Sequence, residues 1–239
     1  PSDPATATSF AGKDAWTTAS GPTTDKVVLA YNTSTDSLLS DEQVRKSIRY
    51  LVDASGIAQS QADAWKPLGG PISQLEPGDE DLTGLFPYDV NQGAALLSYF
   101  GANYIPSVDL VVSEHDRALG QTIAQQIGQV PLPKVNLEVL GDADYRQRIQ
   151  DGTWELTITS MDGADSVTDA GAFANPNSMF HYDHTDIQQA WQSALAATND
   201  ADYTQRLAAY ARMVSKDAAS HWLYTRKCAL VAATSVSGY

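Results

Sequence analysis

The stretch Lys134–Asp169, KVNLEVLGDADYRQRIQDGTWELTITSMDGADSVTD, decides the fold. Val135, Leu137 and Val139 alternate with polar residues, the period of a half-buried strand. Tyr145 and Ile149 stand four apart and share one face of a short helix. Trp154, Leu156 and Ile158 alternate again as a second strand, and Met161–Asp169 follows as an acidic loop carrying Gly163. Ligands of α/β sheets gather where strands end and loops begin, so Met161–Asp169 is the first place to look for a site.

Working outward, Lys26–Asn32 (KVVLAYN) is a continuous apolar run, as expected of a central strand covered on both faces. Ser40-Asp41-Glu42-Gln43 has the form of a capping box with Ser40 as N-cap. Val44, Ile48, Leu51 and Val52 follow at helical spacing, which predicts a helix over 41–54. Arg45 and Arg49 fall on its other side and read as solvated charges. Residues 66–87 hold Pro67, Gly69, Gly70, Pro71, Pro77, Gly78, Gly84 and Pro87, which predicts a long surface excursion without regular structure. Its acidic run, Gly78-Asp79-Glu80-Asp81, lacks the ligand spacing of a calcium loop and reads as a solvated turn.

Further elements are a helix over 89–100 with Val90, Ala94, Leu97 and Tyr99 inward, a strand at Val108–Val112 and a helix at Arg117–Ile127. Helices are also predicted over 185–197 and 201–216, the second with Leu207, Tyr210, Ala211 and Val214 on one face. His221–Arg226 and Ala229–Ala233 read as two strands or one bent strand. Residues 1–25 are rich in Ser, Thr, Ala, Pro and Gly and read as an irregular leading segment held at Phe10 and Trp16. Strands alternating with helices give an α/β domain with a mixed sheet flanked by helices.

The chain has 239 residues, 43% of them hydrophobic and 18% charged, enough to bury a core without disulfides or a structural metal. With 15 basic and 29 acidic residues it carries a net charge of −14, which disfavours nucleic acid and anionic membrane surfaces as partners. Cys228 lies in an apolar run, cannot form an intrachain disulfide, and reads as a buried, inert thiol.

Several of these segments carry a resemblance. Tyr31-Asn32-Thr33, the run from Leu38 to Ile48 with Asp53, and Tyr88-Asp89 through Ala94, Leu96, Leu97 and Gly101 are similar in order and spacing to one family. So are Ile123–Ile127, Val135–Leu140, Tyr145, Gly152–Ile158, Arg206–Asp217, Leu223-Tyr224 and Val236-Ser237-Gly238-Tyr239. The chain resembles the family 5 extracellular solute-binding proteins of ABC importers, the dipeptide, oligopeptide and nickel-binding group. The likeness covers nearly all of residues 26–239 and corresponds to the carboxy-proximal lobe of a class II periplasmic-binding-protein-like fold. It implies that residues 1–239 are a single ligand-binding lobe, with the amino-proximal lobe absent from this chain. It also implies a receptor on the extracellular face of the membrane, lipid-anchored in full length, or in the periplasm, which closes over a solute and delivers it to ABC permease subunits.

The resemblance also implies site residues. Peptide-binding members carry Gly-Trp-x-Ala-Asp-Tyr-x-Asp/Glu-Pro after this strand, and the first Asp pairs with the ligand's terminal ammonium. The matching run here is Ser160 to Asp169, in which Asp165 follows Ala164, Met161 or Asp162 replaces the Trp, and the Pro is missing. Asp165 therefore reads as a ligand contact or as a turn-capping Asp. The loop after strand 108–112 offers His115 and Arg117 to a ligand carboxylate, and the short helix before Trp154 offers Arg148. Each also reads as a solvated surface charge.

The expected ligand is a peptide, with nickel chelates, oligosaccharides or another small solute, or unfolded segments held by a chaperone-like module, as alternatives. No cofactor is expected. His181-Tyr182-Asp183-His184 shows two histidines and an acid but no four-ligand metal set, and reads as a polar surface turn. Asp162, Asp165 and Asp169 with His181 are the best enzyme hypothesis, yet no nucleophile or base pair stands out, so the chain is expected not to be an enzyme.

Overall fold

Lys26–Tyr31 is the axis of a six-stranded mixed sheet in the computed structural model, which describes residues 4–98, 100, 107–131, 133–161 and 166–236. The strands are β1 (Trp16–Tyr31), β2 (Ala64–Pro67), β3 (Ser107–Ser113), β4 (Lys134–Leu140), β5 (Leu156–Met161) and β6 (His221–Ala233), in the order β2-β6-β1-β5-β3-β4. β1 is antiparallel to both β5 and β6, whereas β3 is parallel to both β4 and β5. The helices are α1 (Pro4–Thr8), α2 (Glu42–Leu51), α3 (Ala54–Ser60), α4 (Val90–Ser98), α5 (Arg117–Ile127), α6 (Asp142–Gln150), α7 (Ser166–Gly171), α8 (Thr185–Leu195) and α9 (Asp200–Lys216).

Side chains of a strand alternate between faces, so β1 feeds two cores at once. Val27, Leu29 and Tyr31 pack with Val44, Ile48 and Leu51 of α2 and Ile123 of α5. Val28 and Ala30 pack with Trp154, Phe173 and Trp222 and with Leu207, Tyr210, Ala211 and Val214 of α9. The expected central, doubly covered strand is thus present, and α9 buries the predicted stripe. Tyr145 and Ile149 of α6 lean on the second core, where the Tyr145 hydroxyl donates to Ile158 O at 2.8 Å.

Five expectations are corrected. β1 begins at Trp16, inside the supposed irregular segment, because Trp16–Pro22 pair with Ala233–Lys227 as a two-stranded ribbon beyond the sheet. Ladder hydrogen bonds, not burial, form that ribbon, so apolar alternation is weak there. It continues β6 as one strand, with Cys228 opposite Gly21 and exposed rather than buried.

The N-cap of α2 is Asp41, whose carboxylate accepts from Gln43 N at 2.7 Å, while Ser40 belongs to a preceding 3-10 turn. The guanidinium groups expected in solvent are buried: Arg45 is 4% and Arg49 2% exposed. Arg45 donates to Leu39 O, Ser40 O and both Asp217 O and Oδ2, tying α2 to the end of α9. Tyr182 donates to the same Asp217 carboxylate.

The segment 66–87 is not a surface excursion. Its first residues complete β2, and Leu68, Ile72, Ser73, Glu76 and Leu82 are buried. Gly69 makes this possible, since a Cβ there would lie 2.2 Å from Leu82 C and 2.3 Å from Thr83 N. Backbone cannot yield as a flexible side chain can. Gly69→Ala is therefore expected to cost about 1–3 kcal/mol, seen as a fall of roughly 2–4 °C in Tm per kcal/mol. An unchanged Tm would show that this inward pass is not packed against Leu82.

Of the residues assigned inward on α4, Leu97 is buried and Val90 and Ala94 pack against the first core; Tyr99 lies outside the described residues.

Candidate functional site

The parallel register sets the ends of three strands on one edge. Leu110 of β3 stands between Leu137 and Leu156, and Ser113 is beside Leu140, so β3, β4 and β5 leave the sheet nearly flush. At the same edge Lys26 of β1 pairs with Met161 on one side and Thr225 of β6 on the other. The β1–β6 ribbon departs from there. The ends of β3 and β5 and the root of the ribbon therefore share one border of the sheet.

The centre of that border is a buried charge cluster. Lys26, 0% exposed, donates from Nζ to Glu76 Oε1 and to Asp169 Oδ2, each at 3.0 Å. Glu76 Oε2 accepts from Ser73 N at 2.5 Å. Two carboxylates around one ammonium leave a net negative charge where dielectric screening is weak. Lys26 also joins three elements distant in sequence: β1, the 66–87 segment and α7.

Asp162 and Asp165 lie outside the described residues. Met161 is 8% exposed and its side chain belongs to the second core. His115 and Arg117 are exposed at the border, where Ser113 accepts from Asp116 N and closes a turn ahead of α5. Arg117 is held bidentately by Glu114, at 2.9 and 2.6 Å, and this pairing raises the Arg117 pKa and lowers that of Glu114. Such an exposed pair contributes little and can exchange partners readily.

Arg148 is not brought to this border. It sits in the last turn of α6, which leads into the start of β5, and donates to Glu138 Oε1 at 2.8 Å and Thr153 O at 3.3 Å. His181 also belongs to the far end: its Nε2 is the nearest atom to the position a Cβ on Gly152 would take. Asp169, held by Lys26, is thus separated from His181 by the length of β5. The four-residue hydrolytic cluster does not assemble from these two members. In the His181–His184 turn Tyr182 is buried and Asp183 accepts from Gln188, and no group of three metal-ligating side chains forms among the described residues.

Sequence reasoning missed Lys26 and Glu76. A lysine opening an apolar run was a weak signal for the first. Nothing local marked Glu76, whose partner is 50 residues away.

No protein-family model and no curated protein matches the sequence. Solved structures match over almost the whole chain. The oligopeptide-binding protein AppA from Bacillus subtilis, in complex with a nonapeptide, superposes with a TM-score of 0.79 at 14% identity, covering 99% of this chain and 52% of that one. HbpA2 from Haemophilus parasuis gives 0.84 at 12% identity, covering 97% and 48%. NikA from Staphylococcus aureus, in complex with Ni(L-His)2, gives 0.77 at 14% identity, covering 98% and 52%. The chain shares the fold of the matching half of each of these structures. The chain spans about half the length of these solute-binding structures, and the expected α/β class with a mixed, helix-flanked sheet is confirmed. Among the described residues no helix is long and apolar enough to cross a membrane.

Proposed function

We propose that this chain is the ligand-gripping lobe of an ABC-importer receptor working outside the cytoplasmic membrane, with peptides as its cargo. The observation that carries this is the shared border: β3 and β5 end where the β1–β6 ribbon leaves the sheet. A second lobe carried on that ribbon would face this border, and closure would bury a solute between the two. The similar AppA structure holds a nonapeptide, which favours a peptide over other solutes. The site as described binds and positions; it offers no activated nucleophile.

Within this reading Asp165 and Asp162 take the ligand's ammonium, and His115 and Arg117 take a carboxylate. Arg148 and Met161 have no direct ligand role. Isothermal titration of the longer, two-lobed polypeptide with di- to pentapeptides should give heat, while the 239-residue lobe alone binds weakly because half the contacts are missing. Heat with a nickel–histidine chelate or an oligosaccharide, and none with any peptide, would replace the peptide assignment.

Asp165→Asn gives a finer test. It should weaken a peptide with a free amino terminus by roughly tenfold or more and leave the N-acetylated peptide unchanged. Equal loss for both peptides would make Asp165 structural.

A further inference from the structure

The 66–87 segment reaches the border at one tight turn, Ser73–Glu76. Glu76 N donates to Ser73 O at 3.0 Å, and Glu76 Oε2 accepts from Ser73 N at 2.5 Å, so backbone and side chain both close the turn. Glu76 Oε1 then accepts from the Lys26 ammonium at 3.0 Å, and the same ammonium holds Asp169 of α7 at 3.0 Å. The Gln74 amide lies against the Thr225 hydroxyl, with Nε2 and Oε1 at 3.5 and 3.4 Å. Lys26 and Thr225 are paired across β1 and β6 at the root of the ribbon. The turn is therefore tied to the border through its second and fourth residues.

What the turn leaves outside is its third residue. Ser73 and Glu76 are buried, and Gln74 is half-buried against Thr225. Leu75, between them, is 53% exposed, more than any other large apolar side chain among the described residues. An exposed leucine by itself carries no message. Its setting does. Bonds on both sides of Leu75 hold the turn in place, so the side chain cannot fold inward without breaking them. The side chains next to it are already engaged: Gln74 with Thr225, and Glu76 with Lys26 and Ser73 N. At this point of the border the turn's side chains present hydrocarbon.

We propose that Leu75 is a specificity-determining contact of the border, which selects peptides with an aliphatic side chain over peptides with a polar one. The inference rests on the proposed function and names the substrate class within it. An aliphatic side chain laid against Leu75 removes two apolar surfaces from water at once. A hydroxyl or amide in the same place gives up its water and finds no side-chain partner on the turn, so its burial is unfavourable. Discrimination of this kind is modest, because a single apolar contact is worth about tenfold rather than many thousandfold.

The test is isothermal titration of the longer, two-lobed polypeptide with trileucine and with triserine. Trileucine should bind about tenfold more tightly, and Leu75→Ala should cut that preference to about threefold or less. The variant's Tm should match that of the unaltered protein, since Leu75 is exposed and outside both cores. Equal affinity of the two peptides for the unaltered protein overturns this inference and leaves the peptide reading standing. So does a preference for trileucine that survives intact in Leu75→Ala. Absence of heat with every di- to pentapeptide overturns the peptide reading itself, and this inference with it.

Discussion

Lys26→Met is expected to lower the unfolding free energy by about 3–5 kcal/mol, a large part of the ~5–15 kcal/mol that holds a typical domain together. The cost comes from what is left behind. Met fills much of the lysine's volume, so packing changes little. Glu76 and Asp169, with side chains 3% and 13% exposed, then face each other without the ammonium that neutralised them. Burying an uncompensated carboxylate is far more costly than losing a surface pair. Urea denaturation at neutral pH measures the loss. A second variant, Lys26→Met with Glu76→Gln and Asp169→Asn, should recover part of it by removing the stranded charges. A loss below about 1 kcal/mol would place the cluster in effective contact with water. Under the proposed function the single variant should also weaken ligand binding, because Lys26 ties α7 to β1 at the border proposed to hold the ligand.

Trp222→Ala should cost a similar ~3–5 kcal/mol, for a different reason. Trp222 is 0% exposed and packs edge-on to Phe173 with ring centroids 5.2 Å apart, while Phe173 stacks on Phe180 at 4.4 Å. Removing the indole leaves a cavity between the sheet and its second helical layer, which a stacked aromatic pair cannot collapse to fill. One effect opposes this. The indole Nε1–H has no hydrogen-bond partner, and its removal relieves ~1–3 kcal/mol of unsatisfied burial. The cavity term is the larger, so a shift of the urea midpoint to lower concentration is expected, with an unchanged slope. A midpoint equal to that of the unaltered chain would mean that this layer is loosely packed.

Much of the fold was legible because it is written locally. The alternation in Val135–Val139 and Leu156–Ile158, the run Lys26–Tyr31 and the stripe on α9 each report burial at the period of their own element. Where burial and pairing part company, the reading failed. Trp16–Pro22 form a strand because β6 passes beside them, and only the partner marks it. Segment 66–87 looked external because glycine and proline signal turns, yet glycine also permits the close approach seen at Gly69. Arg45 and Arg49 lay on the polar side of an amphipathic helix, and that side is covered by the end of α9, by Trp222 at the start of β6 and by Gly69.

The candidate site divides along the same line. Its general place, after the strand that ends at Met161, follows from strand–loop order, which the chain itself carries. Its electrostatics do not, because Lys26, Glu76 and Asp169 are separated by 50 and 143 positions. The sequence by itself determined the class of fold, the core stripes and the loops at which strands end, since each depends on a periodicity of a few residues. Only the tertiary structure decided which charges are buried and with whom they pair. The energy of a buried charge depends on what folds over it, and those neighbours come from anywhere in the chain.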